Sequence, residues 1–165
     1  RALTNDAIVI ITGDHAFPMG QHNITSLEAG YYEESYRMPF FLKAPGVAPK
    51  QLKGAYSQVD IIPTIFDLLN YSKKDTTFVG QSIFLDNRDD YILQIQPYEK
   101  QIGIVNLPFK YRYSLKTNKE YVYNIEKDPL EEENIISKLS GNKLNVFRDY
   151  LEDFYEIQKF YELNK

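Results

Sequence analysis

The chain contains no cysteine and no tryptophan. Without cysteine, disulfide staples, thiolate catalysis and Cys-ligated zinc or iron–sulfur centres are excluded, while the compartment stays open. No apolar run approaches the ~20 residues of a membrane-spanning helix and no signal peptide opens the sequence. Any membrane connection or export signal is therefore expected only through upstream segments. A concentrated basic patch is also missing, and 19 Lys and Arg against 23 Asp and Glu leave a formal net charge of −4, which argues against a nucleic-acid partner. An anionic substrate would need a local site.

What is present describes a packed chain. At 165 residues it has the size of one ordinary domain or of a large piece of a bigger one, and its hydrophobic fraction of 43% and charged fraction of 25% are globular values. The aromatic fraction of 15% comes from 14 Tyr and 10 Phe, residues that suit strands and half-wet surfaces.

The run Ala7-Ile8-Val9-Ile10-Ile11-Thr12 reads as a strand buried on both faces, as in a parallel sheet. Such a strand needs neighbours from βαβ units, so upstream chain is expected to complete its sheet. A long polar stretch from Gly13 to Arg37 follows, and a loop of that length inside a compact domain is usually functional. Met38 to Ala44 is a second strand, closed by Pro45-Gly46. Apolar positions 61, 62, 65, 66, 68 and 69 form a helical stripe. Pro63 belongs in its first turn, which makes Asp60 the N-cap and a structural residue.

From about Asp90 the pattern becomes short strands at Tyr91–Gln96, Gln101–Leu107, Phe109–Leu115 and Glu120–Ile125. Phe109, Tyr111, Tyr113 and Leu115 share one face; Tyr121, Tyr123 and Ile125 share another. Thr117-Asn118-Lys119 makes the connecting turn of an antiparallel meander. Leu144, Phe147, Leu151, Phe154, Ile157 and Tyr161, spaced by three and four, predict an amphipathic helix packed on that meander. The expected architecture is α/β: residues 1–85 as part of a larger α/β sheet, then 86–165 as a small antiparallel sheet with a C-terminal helix.

Gly13-Asp14-His15 follows the first strand directly, where open parallel sheets place ligand sites. Neighbouring side chains on a strand point opposite ways, so Asp14 and His15 converge on one ion only if the backbone bends, which Gly13 permits. A carboxylate with an imidazole suits Mn²⁺ or Zn²⁺ best, and Ca²⁺ and Mg²⁺ stay open. The alternative is a capping Asp beside a surface His.

Ile10-Ile11-Thr12-Gly13-Asp14-His15, then Tyr32-Glu33-Glu34-Ser35-Tyr36-Arg37-Met38-Pro39-Phe40, Ala44-Pro45-Gly46, Ser57-Gln58-Val59-Asp60-Ile61-Ile62-Pro63-Thr64 and Gly80-Gln81-Ser82 resemble successive signatures of the sulfatase family. Glu120 to Glu131 is similar to that family's tail strand and turn. The family belongs to the alkaline phosphatase superfamily and includes the lipoteichoic acid synthase-like phosphoglycerol transferases.

The resemblance implies the C-terminal part of an alkaline phosphatase-like α/β sheet, a divalent metal held partly by Asp14 and His15, and an anionic ester as substrate. It also implies that the remaining ligands and the nucleophile lie in the upstream part of the same polypeptide, so that this chain alone is inactive. His22, in Gly20-Gln21-His22-Asn23, would bind the anionic group or protonate a leaving oxygen; the alternative is a solvent-exposed loop histidine. Many sulfatases carry a Lys soon afterwards, where this chain has Ile24-Thr25-Ser26-Leu27-Glu28, a departure that shifts the expectation slightly toward phosphate esters. Glu33, Glu34 and Arg37 read as a local ion pair or strand-edge contacts. A reading of another class is a binding module that keeps the fold without the chemistry.

Overall fold

The structure, a computed structural model, describes residues 6–26, 30–71, 78–88 and 90–163, with side chains as far as 156. Its contacts divide the chain into two compact units, residues 1–16 with 37–92, and residues 17–36 with 93–165. No helix among the described residues is long and apolar enough to cross a membrane.

In the first unit, β1 (Val9–Thr12) pairs antiparallel with β2 (Phe40–Lys43), in the register Val9 opposite Lys43 through Thr12 opposite Phe40. The partner of β1 among the described residues is thus antiparallel, whereas the β-branched run suggested parallel neighbours supplied by upstream chain. The cross-strand pair Ile11 and Phe41 stands 63% and 64% exposed, because among the described residues this sheet has only two strands and nothing packs over that face.

The helical stripe forms α2 (Ile61–Leu68), entered through a 3₁₀ turn at Gln58–Asp60. Asp60 is structural as expected, but its carboxylate reaches backward instead of capping α2. It accepts from the Ser57 N–H at 2.9 Å, the Gln81 N–H at 2.9 Å and Arg88 Nη2 at 2.7 Å. Thr64 Oγ1 donates to the Asp60 carbonyl at 2.6 Å and accepts the Ile83 N–H at 3.1 Å. Gly80 permits the close approach: a Cβ there would lie 2.0 Å from the Val59 carbonyl oxygen. The Ser-x-x-Asp and Gly-x-Ser signatures are thus a polar staple between the start of α2 and the 80–83 strip, with nearly every buried polar group satisfied by a named partner.

The second unit contains the short helix α1 (Glu33–Tyr36) and a four-stranded sheet in sequence order. Its strands are β3 (Ile92–Gln96), β4 (Gln101–Asn106), β5 (Phe109–Ser114) and β6 (Lys119–Asn124), close to the spans that alternation predicts. Asn118 takes the left-handed conformation that the β5–β6 turn requires, with φ 53°.

The register sets Ile104, Tyr111 and Val122 abreast on one face. α3 (Gly141–Leu163) covers it, burying Phe147 and Leu151, and the Phe147 ring stacks on Tyr111 at 5.6 Å. Leu144 and Phe154 are half-buried, and the side chains of Ile157 and Tyr161 lie outside the described residues. Removing a buried leucine loses transfer energy and leaves a cavity, so Leu151→Ala is expected to cost ~2–5 kcal/mol. Urea unfolding that is unchanged by the substitution would show that α3 is not part of this core.

Candidate metal centre

Asp14 and His15 stand just beyond the end of β1, where the chain leaves extended geometry. Two features hold the bend. A Cβ on Gly13 would come within 3.1 Å of the His15 carbonyl oxygen, and the Gln58 amide donates to the carbonyls of Gly13 and Asp14 at 3.0 and 2.8 Å. Gln58 is a positioning residue that composition and periodicity did not single out; its one signal was membership of the Ser-Gln-Val-Asp motif.

The bend brings Asp14 Oδ2 to 3.7 Å from His15 Nε2, while Asp14 Oδ1 accepts the His15 N–H at 3.0 Å. His15 Nδ1 lies 3.0 Å from the Ala16 carbonyl oxygen, which can only accept, so Nδ1 carries the hydrogen. In the neutral ring this leaves the Nε2 lone pair on the side of Asp14 Oδ2. Fixing one imidazole nitrogen on a carbonyl to present the other is the usual second contact of a metal-binding histidine. Two donors 3.7 Å apart lie within the span of two ~2.1 Å metal–ligand bonds.

The donor chemistry therefore fits a divalent ion, but the donor count does not complete a site. No group of three such side chains occurs among the described residues. Asp14 and His15 side chains are 90% and 53% exposed, so both are open to further ligands.

His22 belongs to the second unit and is not the exposed loop histidine that one reading allowed. Its Nδ1 lies 2.7 Å from Glu34 Oε1, its Nε2 contacts the Leu130 carbonyl oxygen, and its ring stacks on Tyr32 at 3.6 Å. Both partners are pure acceptors, so both bonds form together only when the ring carries two N–H groups. A substrate contact by His22 would require one of them to open.

Glu33 does form an ion pair, with a partner distant in sequence. Lys110 Nζ, 1% exposed in its side chain, lies 3.1 Å from Glu33 Oε1 and 3.0 Å from Glu131 Oε1, whose side chain is 0% exposed. Lys110 also donates to the Tyr31 carbonyl at 3.1 Å, and the Glu33 N–H donates to Glu131 Oε1 at 2.7 Å. Burial pushes the Glu131 carboxyl above the usual carboxylate range, with Lys110 opposing. On the α3 side of the sheet, two hydrogen bonds from Arg148 hold Glu120 below that range, against a smaller effect of burial.

Known proteins resemble this chain throughout. The sulfatase family model matches residues 1–71. An arylsulfatase of Clostridium perfringens is 31% identical over 81% of this chain and 30% of its own length. A Delta 4,5-hexuronate-2-O-sulfatase of Bacteroides thetaiotaomicron is 26% identical over 90% and 34%, and a choline-sulfatase of Rhizobium meliloti is 23% identical over 96% and 33%. The chain thus spans about a third of the length of the curated relatives it matches.

Among solved structures, a 2-O GAG sulfatase superposes with a TM-score of 0.73 at 24% identity, over 92% of this chain and 36% of that one. Another, solved in complex with its substrate D-glucosamine-2-N,6-O-disulfate, gives 0.66 at 21% over 90% and 34%. A match in order along the chain, together with a common fold, makes this chain a C-terminal part of a protein of the sulfatase family, with its alkaline phosphatase-like architecture.

Proposed function

We propose that the protein to which this chain belongs hydrolyses sulfate esters with the help of a divalent metal ion held in part by Asp14 and His15. The observation that carries this reading is the pairing of Asp14 Oδ2 and His15 Nε2, 3.7 Å apart, with the ring tautomer set by Ala16. The ion would neutralise the ester's oxygens and activate the nucleophile. This chain's residues contribute two donors and, through Gln58, the loop geometry that presents them.

In this proposal the other ligands and the nucleophile come from the upstream part of the same polypeptide. The exposed apolar pair Ile11 and Phe41, on a sheet of two described strands, offers that part a surface to cover. The relatives are named for choline sulfate and for a 2-O-sulfated hexuronate, compounds whose shared feature is the sulfate ester. The substrate class is therefore proposed at that level.

A catalytic metal site normally draws three or four ligands from the protein, and two bind an ion only weakly. The isolated chain is accordingly expected to show no turnover, and the full-length protein to be active. Assaying both on an aryl sulfate and on a phosphodiester, with Mn²⁺, checks this. Turnover by the isolated chain would overturn the division of the site. Activity of the full-length protein on the phosphodiester alone would move it to phosphoryl chemistry, as in the phosphoglycerol transferases. A full-length protein inactive on both would favour a binding module.

A further inference from the structure

The sheet face opposite α3 carries Lys110 and Arg112, both buried. Arg112 sits among tyrosine rings, with its guanidinium carbon 4.3 Å from the Tyr31 ring centre and 4.1 Å from that of Tyr121, and its Nη2 lies 3.2 Å from the Tyr123 hydroxyl. Its Nε and Nη1 have no partner within the protein. Gln94 Oε1 and Gln101 Oε1 are buried acceptors in the same condition. The Gln94 amide cannot simply be turned round, because its Nε2 donates to Glu33 Oε1 at 2.9 Å, a bond that fixes the oxygen on the opposite side.

Gln94, Gln101 and Arg112 line a single cavity of about 10 Å³. Gly103, directly opposite Arg112 in the β4–β5 register, also lines it and contributes no side chain to fill it.

We propose that this cavity is a binding site for one ordered water, which ties β3, β4 and β5 together beneath the segment that carries Tyr31 and Glu33. A water offers two O–H donors and two lone pairs. The two O–H donors match the acceptors Gln94 Oε1 and Gln101 Oε1, and one lone pair accepts from Arg112, whose Nε–H and Nη1–H diverge so that only one of them serves a single water. The volume is near the roughly 10–15 Å³ that one water needs. An anion would face two amide oxygens, a cation would face the guanidinium and Lys110, and a polyatomic ligand would not fit. The water would also hold the Gln94 amide in the orientation that supports Glu33.

A crystal structure of the protein in which ordered waters are visible tests this directly. One density peak is expected within hydrogen-bond distance of Arg112 and of both glutamine oxygens. In the double variant Gln94→Met, Gln101→Met the peak should vanish, since both acceptors are gone and the thioether chains take up the volume. A cavity without density in the parent, a Gln94 Nε2 turned into it, a halide in its place after bromide soaking, or a peak that survives in the double variant would each overturn the proposal. Should the variant not fold, the parent structure and the soak decide the matter.

Discussion

In the full-length protein, replacing Asp14 and His15 together by alanine is expected to abolish sulfate-ester turnover and to remove bound metal at the same time. Outer-sphere partners of a metal site already cost about 10–100-fold in affinity or activity when lost, and two direct ligands must cost more. The fold should survive the change. Both side chains are mostly exposed, and their bonds to protein are to neighbouring residues, so nothing in either packed unit depends on them. Metal content by elemental analysis, turnover on an aryl sulfate and the urea midpoint separate these effects. Unimpaired turnover, or full metal content in the double variant, would remove Asp14 and His15 from the site. A Gln58→Ala variant, which keeps both ligands and loses the tether to the carbonyls of Gly13 and Asp14, should show an intermediate loss.

The second large effect is expected on stability. Lys110→Met in the second unit should cost about 3–5 kcal/mol, because it removes the positive charge from a buried network and leaves carboxylates without it. The Lys110 ammonium lies 3.0 Å from Glu131 Oε1 and 3.1 Å from Glu33 Oε1, and Glu131 Oε2 is buried with no hydrogen-bond partner in the protein. With the ammonium gone, Glu131 would be driven to bind a proton. Burial already pushes its folded-state pKa up, so the folded form holds that proton more tightly than the unfolded chain does. The sign follows: this contribution is fully present below the ordinary carboxylate range and is lost as pH rises through the raised folded-state pKa. The deficit of Lys110→Met should therefore shrink on acidification, and adding Glu131→Gln should recover part of it at neutral pH. Urea unfolding of the parent, single and double variants across that range gives the answer. A deficit below ~1 kcal/mol at neutral pH, or one that does not respond to Glu131→Gln, would sink this account.

Several features are legible in the amino-acid sequence because their signals are local. The strand alternation of 109–115 and 120–125, the turn at Asn118 and the three-and-four spacing around Phe147 and Leu151 each depend on residues within a few positions of one another. Pro63 places the start of α2 for the same reason, as its ring is tolerated only in the first turn. The Gly13-Asp14-His15 tripeptide is visible as a motif, but its convergence on one side of a bend depends on the tether from Gln58, which lies 44 residues beyond Asp14.

The residues by themselves determined the strands, the helices α2 and α3, the apolar face of the meander and the candidate pair Asp14 and His15, since periodicity and turn chemistry act over short stretches of chain; the short helix α1 lies in a stretch that reads as a polar loop. Tertiary structure decided the rest. Lys110 and Arg112 occupy alternate positions of β5, yet both charged side chains are buried, because the 30–36 segment and Glu131 close over them from 79 and 21 residues away. His22 acquired its partners in the same way, through Glu34 at a separation of 12 residues and Leu130 at 108. Burial of a charge is set by which distant groups arrive to pair with it, and no window of local sequence contains that information.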